Sequence, residues 1–331
     1  MQRPEFRRRW RPDLTLSTLP GIAVSAREAE PNLLRGVVFI SGAYLVFTFG
    51  NAIVKALAPR YSVVELTFFR NAGALPLIGA MLASRGGIPA LSTRHPVLQV
   101  TSALAALGST MGYYAALALL PLGDAAALGN ALPLFLTLLA IPILHERVGI
   151  HRWTAVLIGF TGLTVTAVGS GAFNGGDNPL GILFVLGQSV SGALSQLQMR
   201  QLATFDRSLT IVSWQICLLT LFCAVPLPLF WTAPTPLDLL LLVLLGVCGG
   251  AGQLMVAQAF HHAEASQIAP WSYSGTLWAM VVGYLLWGEI PTRLTVFGTM
   301  VVIAAGLYIL HRERVRRRPT SISPSRPRQA G

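Results

Sequence analysis

Between Leu34 and His311 the chain runs through ten apolar stretches, at about 34–57, 63–84, 96–119, 123–144, 151–170, 179–202, 209–231, 237–260, 266–287 and 292–311, with short polar corners between them. Each is near the roughly 20 residues that a helix needs to cross the hydrocarbon core of a bilayer. In lipid the backbone N–H and C=O groups must pair within the chain, and a single apolar segment achieves this only as a helix. This restricts the chain to an all-α polytopic membrane protein of ten transmembrane helices. Composition agrees: 53% of residues are hydrophobic and 11% charged, where a soluble domain carries about 25% charged residues. Pro59, Gly86-Gly87, Gly123, Gly175-Gly176-Asp177-Asn178-Pro179 and Pro234-Thr235-Pro236 mark corners.

The net charge of +11 lies largely in the tails. Arg3, Arg7, Arg8, Arg9 and Arg11 crowd residues 1–33, and Arg312, Arg314, Arg316, Arg317, Arg318, Arg326 and Arg328 crowd residues 312–331. Basic clusters beside membrane spans set orientation and attract anionic lipid head groups, so the tails read as disordered cytoplasmic segments and no nucleic-acid partner is expected. Arg85, Arg94, Arg147, Arg152, Arg200 and Arg207 occupy the loops on the same side as both tails; Arg60 and Arg293, with Asp124, Asp177 and Asp238, occupy the other. The positive-inside rule makes the first side cytoplasmic, in the inner or plasma membrane. No cleavable signal is expected, since the first apolar run is a full span. Cys217, Cys223 and Cys248 all lie in spans and read as packing residues.

An internal repeat organises the ten stretches. A shift of 145 residues lays Gly36 on Gly181, Phe39 on Phe184, Gly42 on Gly187, Asn51 on Gln196 and Lys55 on Arg200; a shift of 141 lays Gly108 on Gly249, and a shift of 143 lays Glu146 on Glu289. The repeats cover 34–170 and 179–311. A unit of five spans re-enters the membrane from the opposite side, so the two halves are expected to be inverted, an arrangement suited to alternating access around a midplane site.

Polar residues inside apolar spans are the candidates for that site, because burying one unsatisfied costs about 1–3 kcal/mol. Arg70, within Phe68-Phe69-Arg70-Asn71, either anchors an anionic group of a substrate, makes a structural pair, for which Glu65 is the candidate, or snorkels to the outer interface. Asn130 and Thr137 share a face across Pro133, and Gln188 and Gln253 stand on the sixth and eighth spans; each is either a cavity wall or interhelical glue. Trp271 and Trp278 share a helical face with Ser274, and Tyr273 lies beside it, an aromatic wall or a packing surface. Gly246, Gly249 and Gly250 have the spacing of close helix packing.

Lys55 and Glu65, at the outer ends of adjacent spans, are placed for a corner salt bridge that could act as an outer gate. Glu146 and Glu289 follow apolar helices at corners, where an acid caps the next helix or contributes to a gate. All carboxylates fall in loops, tails or helix ends, which weighs against a proton relay through a buried acid and favours facilitated exchange or coupling by the substrate's own charge. His261 and His262 point about 100° apart on a helix and do not make a metal site; no metal or cofactor is expected.

In the first half Gly50-Asn51 with Lys55, Phe69-Arg70, Tyr114-Ala115-Ala116-Leu117, Pro133 and Glu146, and in the second half Ala265-Ser266, Ala269-Pro270, Tyr273, Trp278-Ala279 and Gly288-Glu289, follow in an order that resembles the drug/metabolite transporter superfamily, EamA type, over about residues 34–311. The resemblance implies a carrier with a central cavity lined mainly by helices one to four and six to nine, moving a small organic solute such as an amino acid, vitamin or nucleotide-like metabolite. The first half departs from the pattern in having no Trp before Gly50. An intramembrane enzyme would need clustered acids, histidines or an activated serine at one depth, which this sequence does not offer. A channel or lipid scramblase is the rival reading, because small and polar stripes can also line a continuous path.

Overall fold

Four prolines placed inside apolar stretches mark where the helices of this chain break, while Pro142 is accommodated within a helix near its end. A computed structural model describes residues 33–84, 87, 91–144, 150–172, 178–263 and 265–317; Glu146, Arg147, Asp177 and most of both basic tails lie outside these. The described residues form helices and connecting turns only, with no strand among them. The continuous helices are α1 (Leu33–Leu57), α4 (Pro96–Leu119), α7 (Ile150–Gly169), α8 (Asn178–Leu202), α11 (Pro236–His262) and α14 (Arg293–Arg317). The other stretches are interrupted. They give α2 (Val63–Ala72) and α3 (Leu75–Ser84), α5 (Leu122–Gly129) and α6 (Leu132–Leu144), and α9 (Ser208–Ala224) and α10 (Leu227–Phe230). The last gives α12 (Ala265–Ile268), a 3₁₀ turn (Ala269–Tyr273) and α13 (Ser274–Trp287).

Pro76, Pro133, Pro226 and Pro270 stand at these four breaks. Proline has no N–H to donate to the carbonyl four residues back, and its ring crowds that carbonyl. The chain tightens instead: Ala74 N–H donates to the Asn71 carbonyl at 3.0 Å, and Ala131 N–H to the Leu128 carbonyl at 3.0 Å, both spanning three residues rather than four. By length and apolarity, Leu33–Leu57, Pro96–Leu119, Leu122–Ile143, Asn178–Leu202 and Pro236–His262 can cross a membrane, and Trp153–Gly169, Ser208–Ala224 and Arg293–Ile309 are shorter apolar helices. The expected stretches 63–84 and 266–287 exist only as broken pieces. α14 runs to Arg317, past the expected end at 311, because Arg and Glu are good helix formers and no proline occurs before Pro319.

The principal packing pairs are α4 with α8, α1 with α11, and α7 with α14, followed by α6 with α8, α1 with α13, α5 with α13, α4 with α9, α2 with α11, and α2 with α9. Replacing each helix by its repeat counterpart turns α4–α8 into α11–α1, α6–α8 into α13–α1 and α4–α9 into α11–α2. Of the remaining three, α7–α14 and α2–α9 map onto themselves, and α5–α13 joins the fourth stretch to the ninth. Small residues permit the closest crossings: a Cβ on Gly73 would fall 2.4 Å from the Gly246 Cα, so α2 and α11 meet backbone to backbone. The packing role expected for Gly246 is the one seen.

The surface is what a lipid solvent requires. On α11, Leu237, Leu240, Leu244 and Val247 recur every three or four residues, with Leu254 two turns further on, and all are exposed. A soluble monomer does not leave so long an apolar stripe uncovered. Inside, Leu57, Leu66, Leu117, Leu120, Leu122 and Leu128 form the centre of the largest buried cluster, which ties α1, α2, α4 and α5 together next to the corner that carries Lys55.

Candidate functional site: a polar cavity between the halves

The helix breaks frame a cavity of about 300 Å³, at the lower end of the range typical of small-molecule sites. α1 lines it with Tyr44, Phe47, Thr48 and Asn51, and α4 with Ser109, Thr110, Tyr113 and Tyr114. Arg70 enters from α2 and Gln188 from α8; Gly129 and Asn130 come from the α5–α6 break, and Ser272, Gly275, Thr276 and Ala279 from the second broken segment. Positions 44, 47, 48 and 51, and again 272, 275, 276 and 279, follow the spacing of one helical face.

Two of the breaks are joined across the cavity. Asn130, the C-cap residue of α5, donates from Nδ2 to Thr276 Oγ1 at 2.9 Å. Gln188 spans α8 and α4, donating to Ser109 Oγ at 3.4 Å while its Oε1 accepts from the Ser189 hydroxyl at 3.2 Å. A Cβ on Gly275 would lie 2.8 Å from Tyr44 Cδ1, so a glycine there lets the Tyr44 ring approach the second half.

Arg70 supplies the cavity's positive charge. Its guanidinium sits 6.0 Å from the centroid of the Tyr114 ring, within cation–π range. Among the described residues no carboxylate lies within ion-pairing distance of it. The expected alternative partner is engaged elsewhere: Glu65 completes a capping box with Ser62 and accepts the Thr232 N–H at 2.8 Å. The buried Tyr114 hydroxyl has no hydrogen-bond partner among the described residues.

Of the residues expected at the site, the structure thus brings together Arg70, Asn130 and Gln188. Thr137 is buried and donates to the Pro133 carbonyl at 3.0 Å, satisfying backbone near the break. Gln253 is exposed on α11, which uses the neighbouring Gly252 to receive Phe47. Trp271 is 49% exposed, Tyr273 presses its hydroxyl toward Gly306 on α14, and Trp278 donates to Ser41 Oγ at 3.4 Å. None of these lines the cavity. Trp271 falls in the 3₁₀ turn and Trp278 in α13, so no single α-helical face runs through both; the cavity meets Ser272, Gly275, Thr276 and Ala279 instead. Tyr44, Thr48, Asn51, Ser109, Tyr113 and Thr276 line it without having been selected as candidates.

The corner above the cavity also differs from expectation. Lys55 pairs with Glu289 rather than Glu65. Its ammonium also donates to the Leu120 carbonyl at 2.7 Å and lies 5.4 Å from the Trp287 ring centroid. Glu289 accepts the Leu122 N–H at 2.8 Å, holding the free amide at the start of α5. Gly288, at φ 68°, makes the left-handed turn that delivers Glu289 to this point. Nearby, Asp238 takes the Tyr61 hydroxyl at 2.9 Å and the Arg60 guanidinium at 3.3 Å.

Apolar, outward-greasy helices enclosing a polar cavity define an integral membrane protein with an internal site for a small solute. Residues 34–168 and 179–311 each match the EamA-like transporter family, and the chain belongs to that family. It is 25% identical over 292 residues to the S-adenosylmethionine uptake transporter of Rickettsia prowazekii (strain Madrid E), covering 87% of this chain and 96% of that one. It is 28% identical over 278 residues to the pseudopaline exporter CntI of Pseudomonas aeruginosa (strain UCBPP-PA14), covering 82% and 95%. With the riboflavin transporter of Rhizobium johnstonii it shares 27% over 285 residues, covering 86% and 93%. A solved crystal structure resembles the fold with a TM-score of 0.60 at 17% identity, covering 85% of this chain and 98% of that one.

Proposed function

We propose that this chain is a secondary transporter that carries a small organic metabolite across the inner or plasma membrane by alternating access. Its ten apolar stretches form two inverted five-helix repeats, 34–170 and 179–311, with both termini cytoplasmic. The observation that carries this reading is the cavity between the halves, walled by discontinuous helices at matching positions of the two repeats. Broken helices at such positions are the usual builders of carrier binding sites. The matched packing pairs supply a second support, because two equivalent sets of contacts can exchange between two sides of one site. Arg70, Asn130 and Gln188 hold the solute, and Lys55 with Glu289 close the outer side.

Uptake and export are both represented among the relatives. Purified protein in liposomes, screened against metabolite mixtures, is expected to show saturable flux with counterflow. Unsaturable flux that does not respond to substrate on the far side would instead indicate a channel or scramblase.

A further inference from the structure

We propose that the cavity selects ring-bearing organic monoanions, carboxylates above all, and discriminates against cationic solutes; this rests on reading the cavity as the transport site. The charge balance is one-sided. Arg70 contributes a permanent cation, and among the described lining residues there is no carboxylate to hold an ammonium or other positive group. A half-buried guanidinium with no acidic partner among the described residues attracts one negative charge. Its planar donor fork matches a carboxylate in two-point contact. A phosphate monoester, at about −1.5 to −2 near neutral pH, brings more negative charge than one guanidinium balances.

The Tyr114 hydroxyl adds a neutral donor beside the cation. It is 2% exposed, has no partner among the described residues and lines the same cavity. An unsatisfied buried hydroxyl is costly, and a ligand oxygen bound at Arg70 removes that cost. The rings of Tyr44, Phe47 and Tyr113 supply apolar faces around the space, which favour a flat ring as the rest of the solute. The neutral amides of Asn130 and Gln188 supply directional hydrogen bonds to that ring's substituents without adding charge.

The test uses full-length protein in detergent and a matched panel: benzyl, indolyl and pteridinyl scaffolds, each as carboxylate, carboxamide and ammonium, measured by equilibrium binding. The carboxylate is expected to bind at least about tenfold more tightly than its amide, and the ammonium form most weakly. Arg70→Gln, checked for folding by monodispersity and melting, should erase the preference, and Arg70→Lys should keep part of it. Equal binding of the three forms, tighter binding of the ammonium form, no binding across the panel, or a preference that survives Arg70→Gln would each overturn the proposal. Carboxylate-selective binding without counterflow in liposomes would overturn the transport reading and leave the ligand class standing. Saturable flux of an ammonium solute, unchanged in Arg70→Gln, would do the reverse.

Discussion

Arg70 and Lys55 lie on neighbouring helices and are held in opposite ways. Lys55 has an acidic partner, a carbonyl and an aromatic ring around its ammonium, whereas Arg70 has the Tyr114 ring and the cavity, with no acidic partner among the described residues. The first arrangement is a closed corner; the second is open to a ligand. Because the Lys55 and Glu289 side chains are only 14% and 18% exposed, removing one leaves the other's charge poorly solvated, at a cost of up to about 3–5 kcal/mol. Glu289→Gln and Lys55→Met should each lower the melting temperature, and the double variant should fall by less than the sum. A double-mutant cycle with coupling below about 0.5 kcal/mol would remove the pair from the account. The choice of Arg70, Asn130 and Gln188 was legible in the sequence because each is costly inside an apolar span. The tyrosines and small hydroxyls were not, because Tyr44, Tyr113, Thr48 and Ser109 are ordinary residues of membrane helices. Their common spacing along one face was the available signal.

Among elements, the continuous helices were legible to within about two residues except at the C-terminal end of α14, since hydropathy marks where a span meets the interface. The interruptions at Pro76, Pro226 and Pro270 were not, because a proline in a membrane helix is tolerated wherever neighbours satisfy the freed backbone. They matter more than the ends, since two of the four breaks build the cavity. Pro133→Ala restores an N–H toward the Gly129 carbonyl and should straighten the α5–α6 junction. The expected result is an unchanged or higher melting temperature with a reduced transport rate, as Asn130 loses its place opposite Thr276. Helix crossings respond differently. Gly246→Ala puts a Cβ 2.8 Å from the Gly73 Cα and 2.9 Å from the Phe69 carbonyl oxygen, an overpacking that typically costs about 1–3 kcal/mol. Gly79→Ala meets nothing within 4 Å and serves as the control, so thermal melting of the two variants should separate them clearly.

For the whole molecule, the repeat seen in the sequence has a partial counterpart in the packing: the principal contacts α4–α8, α6–α8 and α4–α9 have exchanged counterparts in α11–α1, α13–α1 and α11–α2. The sequence offset could suggest this pairing but not which pairs touch, since contact between the halves depends on faces that hydropathy does not rank. The proposed inverted topology has its own check. Impermeant thiol labelling in intact cells should reach a cysteine at Arg60 or Thr235 from outside and one at Arg94 or Arg207 only after the membrane is opened. Alternating access itself is tested most directly by a single cysteine in place of Thr110, which lines the cavity, in a background lacking Cys217, Cys223 and Cys248. Its labelling rate by an impermeant reagent is measured from each side of the membrane, with and without Glu289→Gln. The account predicts that weakening the Lys55–Glu289 corner raises labelling from outside and lowers it from inside in proportion. Rates that rise together on both sides, as in a continuous pore, would contradict it.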